Sequence, residues 1–262
     1  MNSYFISFLM YIVMTIIGIV VSYFCYDIYK LTKGGSKGWK YLAIGGISIG
    51  VYAIWGSIDI LFLSLNPFRQ IIMFVFHIPF LFFFQFFMPL GTEALVSDLK
   101  IKRPKWYTKN NILYSIVFLY SLLITYNLLT PFKNFGDELA SIVLFLLPII
   151  NIFACYGFYL ISKQAKKLFW YILFIGGLII TLGVPGYQFY GICCEGPSIG
   201  VDIRTLPEMC WGYEDPYIYA PVIPEICIKF LLPIFKISPI FVILAALMDG
   251  VGFILLWKSM KS

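Results

Sequence analysis

The sequence predicts an all-α integral membrane protein of seven transmembrane helices. Its N-terminus lies outside and its C-terminus in the cytoplasm, and two parallel three-helix repeats are joined by a linker helix 4. Three observations predict this: composition, the placement of charge, and an internal duplication. Of 262 residues, 61% are hydrophobic, 19% aromatic and only 12% charged, against roughly 25% charged in a soluble domain. Several apolar runs reach about 20 residues, enough to cross a hydrocarbon core of ~30 Å at ~1.5 Å per residue. The net charge of +6 does not point to nucleic acid, because the basic residues sit in short clusters between apolar runs. That is the placement that membrane orientation requires.

The duplication is read from two stretches, Cys25 to Gly46 and Cys155 to Gly177. At an offset of 130 residues, Cys25, Tyr26, Tyr29 and Lys33 meet Cys155, Tyr156, Tyr159 and Lys163. At an offset of 131, Trp39, Leu42, Ile44, Gly45, Gly46 and Ile49 meet Trp170, Leu173, Ile175, Gly176, Gly177 and Ile180. Apolar matches arise by chance, but a Cys-Tyr, a Tyr, a Lys, a Trp and a Gly-Gly in one order do not.

Helix 1, about Tyr4 to Tyr29, has no basic residue before it and Lys30, Lys33, Lys37 and Lys40 after it, which places the N-terminus outside. It lacks the basic start and cleavage site of a signal peptide and is too long for one. Helix 2 runs from about Trp39 to Leu63 and turns at Asn66-Pro67. Helix 3 covers about Ile71 to Gly91. The segment Glu93 to Asn111 carries Lys100, Lys102, Arg103, Lys105 and Lys109 and reads as a cytoplasmic loop. Helix 4 takes about Ile112 to Leu129, followed by an outer turn with Pro131, Gly136, Asp137 and Glu138. Helices 5, 6 and 7 take about Leu139 to Ser162, Leu168 to Tyr190 and Phe230 to Trp257.

Under this assignment the cytoplasmic side holds 14 of the 19 Lys and Arg, whereas the outer segment Gly191 to Ile228 holds six acidic residues and Arg204 alone. The chain then divides into a first repeat at 1–92, a basic loop, linker helix and outer turn at 93–138, and a second repeat at 139–262 carrying an outer loop at 191–228. An even number of intervening helices plus the linker makes the repeats parallel. Laying Phe76-His77-Ile78 on Phe235-Lys236-Ile237 sets Gly91 on Gly250.

Ionisable groups inside a membrane are costly unless paired or hydrated, so each is a candidate for function. Asp59 falls in the outer half of helix 2, His77 in helix 3, and Asp249 in the inner half of helix 7. Two readings stand side by side. Asp59, His77 and Lys236 face one another in an outward-opening cavity, or each makes one interhelical hydrogen bond or snorkels to the interface. A single histidine in the chain excludes a bis-histidine haem and a histidine-rich copper or zinc site. Lys236 lies too near the outer boundary to hold retinal. No cofactor and no metal are expected.

Cys25 and Cys155 occupy matching positions near the cytoplasmic ends of helices 1 and 5 and read as packing residues. Cys193, Cys194, Cys210 and Cys227 fall in the outer loop, where four cysteines signal two disulfides. A thiol-disulfide relay is the rival reading, disfavoured by the absence of a Cys-x-x-Cys spacing. In the same loop Trp211, Tyr213, Tyr217 and Tyr219, interleaved with prolines, suggest an aromatic cap or an interfacial belt. No phosphate-cradling glycine loop, Gly-x-Ser-x-Gly elbow or His-Glu-x-x-His helix is expected.

The stretch with Lys30, Lys33, Gly35-Ser36, Trp39, Leu42, Ala53, Trp55-Gly56 and Asp59 resembles the seven-helix input modules of prokaryotic sensor kinases. Across about 30 residues, both place basic residues after helix 1, then a turn of small residues, then a helix with a Trp and an acidic residue a turn later. The resemblance implies a signal-receiving membrane domain; with the sequence stopping at Ser262, such a role is expected to need a separate cytoplasmic partner docked on the basic loops. In layout the chain is also similar to the sugar-transporter fold of three helices, a linker and three more. It departs in motif, since the Pro-Gln signatures of that fold's helices 1 and 5 are missing.

The expectation is therefore a non-enzymatic membrane protein of the cell membrane, receptor-like or an accessory subunit, whose partners are the lipid bilayer and a protein. A small-molecule ligand is allowed for, and transport of a small polar solute is the alternative. A transporter would open a polar cavity at the repeat interface, whereas a sensor or subunit would keep a closed, apolar centre.

Overall fold

A computed structural model of the chain describes residues 3–58, 78–129, 135–195 and 232–261. Among them it is entirely helical: α1 Ser3–Leu31, α2 Lys37–Ile58, α3 Ile78–Asp98, α4 Lys109–Leu129, α5 Phe135–Ala165, α6 Leu168–Glu195 and α7 Leu232–Lys261. Five stretches are long and apolar enough to cross a membrane: Phe8–Leu31, Lys37–Ile58, Ile78–Asp98, Leu146–Ala165 and Pro239–Lys261. The described part of α6 adds a shorter apolar stretch, Leu168–Thr181.

Six helices close into a ring in which α1 packs on α2, α2 on α3, α3 on α5, α5 on α6, α6 on α7, and α7 back on α1. α4 stands outside this ring against α3 and α5. Tyr120 of α4 donates a buried hydrogen bond to Gln85 Oε1 of α3, and its ring meets Phe82 with centroids 5.0 Å apart. The seams α7–α1 and α3–α5 join the first three helices to the last three.

The closest crossings rest on small residues. A Cβ on Gly18 of α1 would stand 2.7 Å from both the Gly46 carbonyl oxygen and the Gly50 nitrogen of α2, so the two backbones touch there. Gly91 of α3 lies against Leu42 of α2, and Gly252 of α7 lies in the same way against Leu173 of α6. Leu42 and Leu173 are matched residues of the duplication. Gly250, two residues before Gly252, instead faces Ile17 of α1.

The lysine-rich segments gather at one end of the ring. Asp27, near the end of α1, accepts a hydrogen bond from Trp257 Nε1 at 2.7 Å and pairs with Lys261 at 3.0 Å near the end of α7. Ser36, just ahead of α2, donates to Asp98 at the end of α3 at 2.5 Å. Trp39 and Trp170, matched residues at the starts of α2 and α6, stack with centroids 6.3 Å apart. The C-termini of α1, α3, α5 and α7 and the N-termini of α2, α4 and α6 thus share this end. Lys33, Lys100 and Lys166, which follow α1, α3 and α5, all take left-handed backbone conformations. After α1 and α3 the next N–H turns back to cap the helix, Gly34 to the Tyr29 oxygen and Ile101 to the Val96 oxygen, each at 3.0 Å.

Several boundaries differ from the sequence reading. Glu93 does not open a loop: α3 continues to Asp98, with Glu93 buried and paired to Arg103 across the turn. The neutralising partner ten residues on lets a carboxylate remain inside the packed helix. Gly136, Asp137 and Glu138 belong to the start of α5 rather than to a turn. α6 runs on to Glu195, so Cys193 and Cys194 stand on its last turn and not in a loop.

A candidate ligand cavity between the two helix triplets

The ring encloses a cavity of about 80 Å³ to which all six of its helices contribute. Its wall is mostly apolar, with Met14 and Ile17 of α1, Phe84 of α3, Phe158 of α5, Leu173 of α6 and Val242 of α7. Three side chains with polar atoms break that surface: Asn151 and Cys155 of α5 and Asp249 of α7.

Asn151 is buried and held from α6. Its Nδ2 donates to the Gly177 carbonyl oxygen at 3.2 Å and to Thr181 Oγ1 at 3.0 Å, and it also lies 3.6 Å from Cys155 Sγ. Thr181 Oγ1 in turn donates to Gly177 O at 2.8 Å. The Gly177 carbonyl can only accept, so it fixes which end of the Asn151 amide faces α6. The Cys155 thiol packs on the open Cα of Gly177.

Asp249 sits one helix further round. Its carboxylate rests against Gly176, where a side chain would collide with Oδ1. Gly176 and Gly177 thus serve opposite neighbours, Gly176 making room for Asp249 on α7 and Gly177 for Cys155 on α5. Among the described residues Asp249 has neither a hydrogen-bond nor an ion-pair partner.

Towards the lysine-rich end the cavity is closed by aromatic rings. Phe158 and Phe253 line its wall and meet edge to face at 6.4 Å. Phe158 touches Trp170 at 6.2 Å, and Trp170 stacks on Trp39. Two of these four residues come from matched positions of the duplication.

Of the residues singled out from the sequence, Asp249 lines the cavity. Lys236 lies on α7, with its side chain outside the described residues, as are those of Cys193 and Cys194 on α6. Asp59, His77, Cys210 and Cys227 lie wholly outside them. Cys25 and Cys155 are free, buried thiols, and Cys155 adds a cavity-lining role to packing. Among the described residues no group of three His, Cys, Asp or Glu side chains gathers as a metal site.

Sequence reasoning passed over Asn151, which carries no charge and sits in an ordinary apolar run. It also expected no Gly-x-Ser-x-Gly elbow, yet Gly34-Gly35-Ser36-Lys37-Gly38 has that spacing. That motif activates its serine on a strand-to-helix elbow beside a histidine. Here the serine lies between two helices with its hydroxyl committed to Asp98, so the spacing serves the turn. Comparison with protein-family models, with curated proteins and with solved structures finds no match to this chain.

Proposed function

We propose that the chain is a seven-span protein of the cell membrane with its N-terminus outside and its C-terminus in the cytoplasm. In this reading it is a receptor-like or sensory module, or an accessory subunit, that acts through a protein partner and has no catalysis of its own. Two parallel three-helix repeats, α1–α3 and α5–α7, flank α4 as linker. Equivalent contacts support the repeats: Leu42 with Gly91 and Leu173 with Gly252, the Trp39–Trp170 stack, and the paired seams α7–α1 and α3–α5. Lysines collected at one end support the orientation.

The observation that carries the receptor reading is the small cavity at the boundary between the triplets, apolar over most of its wall and stoppered by rings at the basic end. A ligand there touches both triplets at once, so its binding favours whichever relative placement of the two fits it best. The basic segments at that end are the surface through which a cytoplasmic partner would read the change. On the outer side, Cys193 and Cys194 on α6 pair with Cys210 and Cys227, with the thiol-disulfide relay as the rival role for these four residues.

Transport of a small polar solute is the second reading, favoured by Asp249 and Asn151 on the cavity wall. Purification of the native protein in mild detergent separates the two. A stoichiometric protein partner supports the receptor or subunit, whereas a lone protein that moves solute into liposomes overturns it in favour of transport.

A further inference from the structure

We infer that the central cavity binds a small organic amine, with its ammonium group held by the Asp249 carboxylate and the Asn151 carbonyl oxygen and its hydrocarbon part in the apolar wall. The inference rests on the cavity being the ligand site of the receptor-like reading and names the chemistry of that ligand.

Four observations lead to it. First, Asp249 lines the cavity with no partner among the described residues, and a carboxylate in an apolar surround is costly until a cation or donor meets it. Second, Asn151 spends its amide N–H groups on Gly177 and Thr181. Its carbonyl oxygen, for which no bond is found among the described residues, is left as a second acceptor on a residue that lines the cavity from α5. Two acceptors, with no free cationic donor among the described residues of the wall, suit an ammonium group and repel an anion.

Third, the remaining wall is hydrocarbon. A metal cation needs about six oxygen ligands and a sugar needs a partner for each hydroxyl, and this wall has neither. Phe84, Phe158 and Phe253 supply aromatic rings, which tolerate a cation as aliphatic side chains do not. Fourth, the volume of about 80 Å³, at roughly 12 Å³ for each water-sized position, admits about five to seven non-hydrogen atoms. A four- to six-carbon primary amine is of that size.

The test uses the full chain in detergent with three probes of one length, n-pentylamine, 1-pentanol and pentanoate, and reads dissociation constants and melting temperature. The amine is expected to bind at least about ten-fold more tightly than the alcohol, as a charge-assisted pair contributes, and pentanoate more weakly than either. Asp249→Asn should abolish the amine's advantage, retain pentanol binding, and melt no lower than the parent when empty, because it removes a partly buried acidic group that has no partner among the described residues. Asn151→Ala should weaken the amine several-fold and leave pentanol unchanged, which keeps the test open if the first variant folds poorly.

Equal affinity for amine and alcohol in the parent overturns the inference, as does an amine advantage that survives Asp249→Asn. A failure of all three probes overturns it as well. In each of these cases the receptor reading still stands or falls on partner co-purification and solute uptake.

Discussion

Tyr107 closes the turn between α3 and α4. It is fully buried, its hydroxyl donates to the Phe153 carbonyl at 2.9 Å, and it shares a hydrogen bond with Thr92 at 3.2 Å. Gly157 leaves the space in which that hydroxyl sits. Tyr107→Phe should therefore cost about 1 kcal/mol of stability, and Gly157→Ala about 1–3 kcal/mol by overpacking, both read from denaturation in detergent. Burial raises the pKa of the phenol above its ordinary value. The folded chain then keeps the proton while the unfolded chain releases it, so stability falls as pH rises past roughly 10. Denaturation midpoints followed from about pH 9 to 11 should fall less steeply in Tyr107→Phe than in the parent. At this scale the sequence was legible where a charge stood in an apolar run, as at Asp249. Partnership was hidden: nothing in the spacing of Glu93 shows that Arg103 will return across a turn to meet it.

Each helix is fixed to its neighbours by a few positions, and at Gly18 the approach is backbone to backbone. Gly18→Val would drive side-chain atoms into the α2 backbone at Gly46 and Gly50 and should lower stability by about 1–3 kcal/mol or more. Ile19→Ala, on the exposed side of the same helix, should change it little. The Trp39–Trp170 stack joins α2 to α6. A double-mutant cycle with Trp39→Ala and Trp170→Ala should return a coupling of about 0.5–1.5 kcal/mol, and additive effects would show that the stack contributes nothing of its own. The apolar runs revealed the helices because lipid selects for composition. They did not reveal the ends, because helices continue beyond the apolar run into lysines and acidic residues, as α3 does to Asp98. Nor did they tell Gly250 from Gly252: both are glycine, and only their contacts with Ile17 and Leu173 distinguish them.

For the whole molecule the decisive question is which face of the bilayer the basic end occupies. In a chain whose own cysteines are replaced by serine, Lys33→Cys, Lys102→Cys and Lys166→Cys should react with a membrane-impermeant maleimide only once the cytoplasmic face is opened. Cys210, restored alone, should react from outside, and labelling of both sets from one side would refute the orientation. The recurrence of a few distinctive residues in one order was readable. The ring was not, since the seams α7–α1 and α3–α5 join helices far apart in the chain and consist of ordinary apolar contacts. Asp27 is held by Trp257 and Lys261, 230 and more positions later. During synthesis α1 must therefore wait, with its α7-facing flank open to lipid, until nearly the whole chain has been inserted. Its acceptance of α7 is then a late event, and weakening the Asp27 clasp should speed the opening of the finished protein while leaving the rate at which the earlier helices assemble nearly unchanged.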